Sequence, residues 1–69
     1  MYYEKIHMMV RMAAAAEGVS IKRVINDHDI SETSYYRHLR TGSPWKVKDL
    51  RALSEITGKS TAEILSAIL

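Results

Sequence analysis

Apolar residues in this chain recur at intervals of three and four, and no segment alternates apolar with polar over the length of a strand. That periodicity predicts helices. Tyr3, Ile6, Val10, Ala13 and Ala14 form one stripe, giving a first helix from about Tyr2 to Glu17. Gly18 ends it, because glycine accepts the left-handed conformation that closes a helix. Ser20 is placed to cap a second helix, about Ile21 to His28, with Ile21, Val24 and Ile25 on its apolar side. Asp27-His-Asp-Ile30 interrupts the pattern, and Ser31 caps a third helix, about Glu32 to Arg40, whose first-turn Glu32 suits the helix dipole.

Thr41-Gly-Ser-Pro44 reads as a stop followed by a restart, with Ser43 as cap and Pro44 at the first helical position. The fourth helix then carries Val47, Leu50, Leu53 and Ile56 as its stripe and closes at Gly58. Ser60-Thr-Ala-Glu63 has the form of a capping box and opens a fifth helix with Ile64, Leu65, Ile68 and Leu69 apolar. All connections are short, as in a compact bundle. The expectation is an all-α fold of about five short helices in one domain spanning residues 1–69.

Composition narrows the class. A chain of 69 residues buries only roughly 60% of its unfolded surface, so its core must be built locally. It has no cysteine, which excludes disulfide staples and thiolate metal sites. The start of the chain is not read as a signal peptide: Arg11 breaks its apolar run, and Glu4 stands where a basic segment belongs. The expectation is a soluble cytoplasmic protein with no membrane partner. Net charge is only +2, but it is unevenly placed. Between residues 35 and 51, Arg37, Arg40, Lys46, Lys48 and Arg51 face a single acid, Asp49. Such a concentration suits an anionic partner.

The second helix, its turn and the third helix span residues of about 20–41, the length of a helix-turn-helix. Val24-Ile-Asn-Asp-His-Asp-Ile30-Ser31-Glu-Thr-Ser-Tyr35-Tyr-Arg-His-Leu39-Arg-Thr-Gly42 resembles the Cro/CI-like (XRE-type) helix-turn-helix of phage repressors. Leu50-Arg-Ala-Leu53-Ser-Glu-Ile-Thr-Gly58-Lys-Ser60-Thr-Ala-Glu-Ile64-Leu65 is similar to that family's fourth and fifth helices. The resemblance covers roughly residues 18–65 and implies a lambda-repressor-like DNA-binding domain. Under it, Val24 and Ile30 lock the two helices together, Ser31 caps the recognition helix and Tyr35 lies on its buried face. Three positions depart from the pattern. Asp29 stands where the turn usually has glycine, Ile25 replaces a small residue, and Thr41 adds one residue before Gly42.

The resemblance implies that the third helix enters a DNA major groove. With Tyr35 and Leu39 inward, Glu32, Thr33, Tyr36 and Arg37 are the candidates for reading bases, Arg37 first through a bidentate pair with guanine. Arg40 is nearer the helix end and is assigned to phosphate. Phosphate contacts are also assigned to Ser20, Lys22 and Arg23 at the second helix, and to Ser43, Lys46 and Lys48 around the start of the fourth. Trp45 is expected to be a core or capping aromatic rather than a base-stacking one. The implied partner is double-stranded DNA with a near-palindromic operator, bound by a transcriptional regulator of repressor or Cro-like type, with a homodimer possible in this family. The length suits either a Cro-like protein or the DNA-binding part of a longer repressor.

Little supports an enzyme. His7, His28 and His38 lack ligand spacing, and no phosphate loop or nucleophile motif occurs. No cofactor, metal or small-molecule ligand is expected. The rival reading is a protein-interaction module on the same fold, antirepressor or antitoxin-like. It rests on the apolar end Ile64–Leu69 and on Met8, Met9 and Met12, since methionine suits adaptable contacts.

Overall fold

The computed structural model describes residues 1–69. Five α-helices follow one another with no strand: α1 (Glu4–Glu17), α2 (Ile21–Asp27), α3 (Glu32–Thr41), α4 (Val47–Thr57) and α5 (Thr61–Ile68). Helices α1, α4 and α5 pack on one another, and α2 lies against α1 and α4 while also carrying α3. Ile6, Val10 and Ala14 of α1, Val24 and Ile25 of α2, and Leu53, Ile56 and Ile64 of α4 and α5 fill the shared interior. Tyr35 and Leu39 enter the same core from α3. No helix is long and apolar enough to cross a membrane.

Serine caps open three helices as expected. The hydroxyl oxygens of Ser20, Ser31 and Ser60 accept the backbone N–H of Arg23, Ser34 and Glu63 at 3.1, 3.1 and 3.2 Å. Asp29 adopts the left-handed conformation, φ 61°, which its short polar side chain tolerates better than most residues. The turn between α2 and α3 therefore closes without glycine. Thr41 does extend α3 by one residue, and Gly42 follows as the left-handed cap, φ 73°.

Two helix starts differ from expectation. Helix α1 begins at Glu4 rather than Tyr2, because Tyr3 is itself left-handed at φ 57° and the chain before it turns away. That short segment is held by Tyr2 N–H donating to the Leu39 carbonyl at 2.9 Å, and by Tyr3 O–H donating to the Gly42 and Ser43 carbonyls at 3.0 and 2.9 Å. Helix α4 begins at Val47, not at Ser43–Pro44. Ser43 is already engaged with Tyr3 and His38, and Asp49 reaches back to accept the Lys46 N–H at 3.3 Å, setting the cap three residues later.

The stripes of the last two helices are also narrower than the spacing indicated. Val47 is 68% exposed, and Leu65 and Leu69 lie outside the core. Val47 occupies the first position of α4, before that helix has come fully over the core. Only Ile64 of α5 is completely enclosed.

The cap at the end of α3 makes a specific demand on residue 42. A Cβ there would meet Tyr2 Cδ1 at 2.7 Å, whereas at Gly18 it would meet nothing within 4 Å. Both glycines have positive φ, which costs an L-residue roughly 1–2 kcal/mol. Gly42→Ala should therefore destabilise the fold by more than Gly18→Ala in urea unfolding. Tyr2→Ala in the Gly42→Ala background should cost less than the two single changes added together.

Candidate nucleic-acid interface

The register of α3 follows from which residues it buries. Tyr35 is fully buried and Leu39, one turn on, nearly so. Glu32, Thr33, Tyr36, Arg37 and Arg40 are consequently on the exposed side of the helix. Tyr36 leans edge-on against Tyr35, with ring centroids 5.2 Å apart, and keeps 37% of its surface exposed. The two neighbouring tyrosines thus divide, as expected, into a buried ring and an exposed one.

Tyr35 is a polar residue in an apolar interior, and one contact makes that tolerable. Its hydroxyl forms a 2.9 Å hydrogen bond with His7 Nδ1 on α1. Burial, with Tyr36 beside it, pushes the phenol far above its ordinary ionisation range, so the hydroxyl keeps its proton. Burial, and secondarily the Arg11 charge, holds the His7 imidazole below its usual 6.5.

The outward residues do not form one surface; they divide between the two flanks of α3. On one flank Arg37 shares a cleft of about 380 Å³ with Ser43, Lys46 and Lys48. Ser31 and Ser34 on the same side of α3 as Arg37, and Asp29 from the turn before it, complete the lining, with the buried His38 and Asp49. Three cations and two acids thus line a polar hollow in which Ile30 is the one hydrophobic residue. On the other flank Tyr36 and Arg40 border an open, largely apolar depression with Met1, Tyr2 and Leu39. Glu32 and Thr33 stand exposed in the first turn between the two.

The α2 set lies apart. Ser20, Lys22 and Arg23 are exposed at the head of that helix and share no cleft with α3. The Ser20 hydroxyl is used as a cap, and Arg23 Nε lies 3.8 Å from Asp27 Oδ2 one turn on. Such an exposed pair is weak and leaves the guanidinium available. Ser43 is different: its hydroxyl and its carbonyl oxygen each lie 2.9 Å from His38 Nδ1. Ser43 belongs to the junction between α3 and α4 more than to the surface.

That junction was not legible in the spacing of single residues. His38 is 5% and Asp49 6% exposed, an imidazole and a carboxylate enclosed together, with Nε2 and Oδ2 4.0 Å apart. Trp45 stacks on the His38 ring, centroids 4.2 Å apart, and also meets Tyr3 and Tyr35. It is a packing aromatic, as expected. Its Nε1 is the one buried side-chain polar atom without a partner, which costs about 1–3 kcal/mol. Ser34 was also missed, though its place three residues after Ser31 and three before Arg37 puts all of them near one face. A second polar cleft, about 420 Å³, brings Lys48 and Arg51 together with His28, Asp29 and Glu55.

The depressed His7 has a measurable consequence. Because the folded state disfavours the imidazolium, the unfolded chain takes up that proton more readily, and His7 subtracts stability as pH falls below about 6.5. Its Cε1–H resonance should titrate below an unperturbed imidazole. Arg11→Gln should raise that midpoint only in part, since burial is the larger cause. A midpoint fully restored by Arg11→Gln would show that charge rather than burial dominates.

No protein-family model matches the chain, and neither a curated protein nor a solved structure matches it.

Proposed function

We propose that this chain is a sequence-specific double-stranded-DNA-binding protein that presents α3 to the major groove and acts as a transcriptional regulator of repressor or Cro-like type. The observation that carries the reading is the division of α3. Tyr35 and Leu39 are buried, leaving Glu32, Thr33, Tyr36 and Arg37 outward, while Lys46 and Lys48 flank the helix across a polar cleft. Candidate base-reading groups along the exposed side of a helix, with cations on its flank, suit major-groove recognition.

In this reading Arg37 pairs with guanine, Thr33 and Tyr36 approach a thymine methyl or the backbone, and Glu32 accepts from cytosine or simply serves the first turn of α3. Lys46, Lys48 and Arg40 neutralise phosphates, as do Lys22 and Arg23 from the neighbouring helix. A near-palindromic operator and a homodimer accompany the proposal, as does action on DNA in the cytoplasm. No metal, cofactor or catalytic step enters it.

A second reading, a protein-interaction module, has its own observation. Met8 and Met12 are 55% and 67% exposed on α1, and Leu65 is 47% exposed on α5. Salt separates the two, because phosphate neutralisation releases counterions and apolar docking does not.

Fluorescence anisotropy of labelled duplexes at two salt concentrations tests the proposal. Affinity should fall steeply as salt rises, and absence of binding to any duplex at low salt would overturn it. Arg37→Ala should lower discrimination at one base pair by about 1–3 kcal/mol. Lys46→Ala should weaken all duplexes alike and reduce the salt slope by about one. Uniform loss in both variants would remove α3 as the base reader.

A further inference from the structure

The most enclosed titratable groups near α3, apart from Tyr35, are His38 and Asp49, and the DNA reading gives neither of them work. Both border the cleft between the α2–α3 turn and the head of α4. His38 as a residue is more than nine-tenths buried, but its Nε2 is not among the sealed-off polar atoms and makes no hydrogen bond within the protein; Asp49 Oδ2 lies 4.0 Å away, beyond bonding distance. We propose that this cleft seats one phosphodiester group of a DNA strand, together with a proton on His38. The inference rests on duplex DNA as the partner and adds to that reading a defined phosphate position and a proton linkage.

The chemistry of the walls selects the occupant. Lys46 and Lys48 supply positive charge, Arg37 borders the cleft with its guanidinium left for a base, and the Ser31 and Ser34 hydroxyls supply neutral donors. The space of about 380 Å³ with a single hydrophobic residue does not suit an apolar ligand. It opens beside α3 on the Arg37 flank, away from Tyr36 and Arg40 on the other. A group held there is placed beside the reading helix, where a strand backbone runs while the bases meet Thr33 and Arg37.

The imidazole is wired for two protonation states. Its Nδ1 lies 2.9 Å from both the carbonyl and the hydroxyl oxygen of Ser43. A neutral ring has one N–H. If Nδ1 donates to the carbonyl, the Nε2 lone pair faces the Asp49 carboxylate; if Nε2 carries the proton, Nδ1 must accept from the hydroxyl. The imidazolium donates at both nitrogens. The charged and titratable groups that share the cleft or its junction with the ring are Asp29 from the turn, Arg37 from α3, Lys46 at the cap of α4, Lys48 and Asp49 from α4, and the Tyr3 hydroxyl, which donates to Ser43 O at 2.9 Å. A bound phosphodiester adds negative charge and offsets the cations, so it draws a proton onto His38. By reciprocity the protonated protein binds the phosphodiester more tightly.

Imidazole Cε1–H and backbone amide NMR on the wild-type protein tests this with dimethyl phosphate, whose single charge does not titrate in the range studied. Dimethyl phosphate should shift the amides of Ser34, Arg37 and Lys46 to Lys48 and raise the His38 titration midpoint, leaving those of His7 and His28 in place. A pooled duplex should do the same more strongly. A rise of one unit corresponds to about tenfold tighter binding at the acid end of the imidazole range, about pH 5 to 8. His38→Gln should flatten that dependence, and if that variant does not fold the wild-type spectra decide alone. DNA that binds without moving the His38 midpoint overturns the cleft proposal and leaves the DNA reading intact. Dimethyl phosphate that raises the midpoint in a protein binding no duplex overturns the DNA reading and keeps the phosphate seat. No response of His38 to either probe overturns the seat.

Discussion

The hydrogen bond between Tyr35 and His7 fixes more of this molecule than any other single contact. A phenol driven fully into the core of a small domain brings an aromatic surface whose burial is worth about 2–3 kcal/mol. It also brings a hydroxyl that would cancel much of that gain if left alone. His7 supplies the partner at 2.9 Å, so the ring can stay inside and α3 cannot roll about its axis without breaking the bond. The rotation of α3 then determines which side chains reach solvent. Tyr36 rests against the fixed ring, and Arg37 falls one step further round. A surface property of the third helix is thus set by a polar atom on the first.

A second constraint acts at the other end of α3. His38, Trp45, Ser43 and Asp49 join the end of that helix to the beginning of α4, with aromatic stacking on one side of the imidazole and hydrogen bonding at its edge. The loop between the helices is therefore not a passive connection. It delays the start of α4 until Asp49 can accept the Lys46 N–H, and this delay leaves Lys46 and Lys48 across a cleft from Arg37. Had the helix started at Pro44, the same lysines would stand one turn deeper in it.

Much of this fold was legible in the sequence because the relevant forces are local. Three serine caps, the Gly18, Gly42 and Gly58 stops, and the apolar spacing of α1 and α2 depend on residues within a turn of one another. The Tyr35–Tyr36 assignment was legible for the same reason, since Leu39 lies four residues from the first ring. The places where spacing misled are those where distant residues compete. Ser43 and Pro44 carry a good helix start, but His38 of α3 and Tyr3, forty residues upstream, claim Ser43 first. Tyr2 belongs by propensity to α1 and is instead bound to Leu39. At the site the cations were identifiable one by one. Their partition onto two flanks of α3, and the enclosure of His38 with Asp49, arise from tertiary packing that no local pattern encodes.

The strap formed by Tyr2 and Tyr3 bears on how the protein can be handled. Its backbone bond to Leu39 and its ring against Gly42 hold the first residues beside Tyr36 and Arg40. Any sequence fused ahead of Met1 emerges next to the helix that would meet a partner, and an affinity tag there competes for the same space. The far end of the chain leaves from α5, which packs with α1 and α4 rather than on α3. A label or surface tether attached after Leu69 keeps the α3 face open.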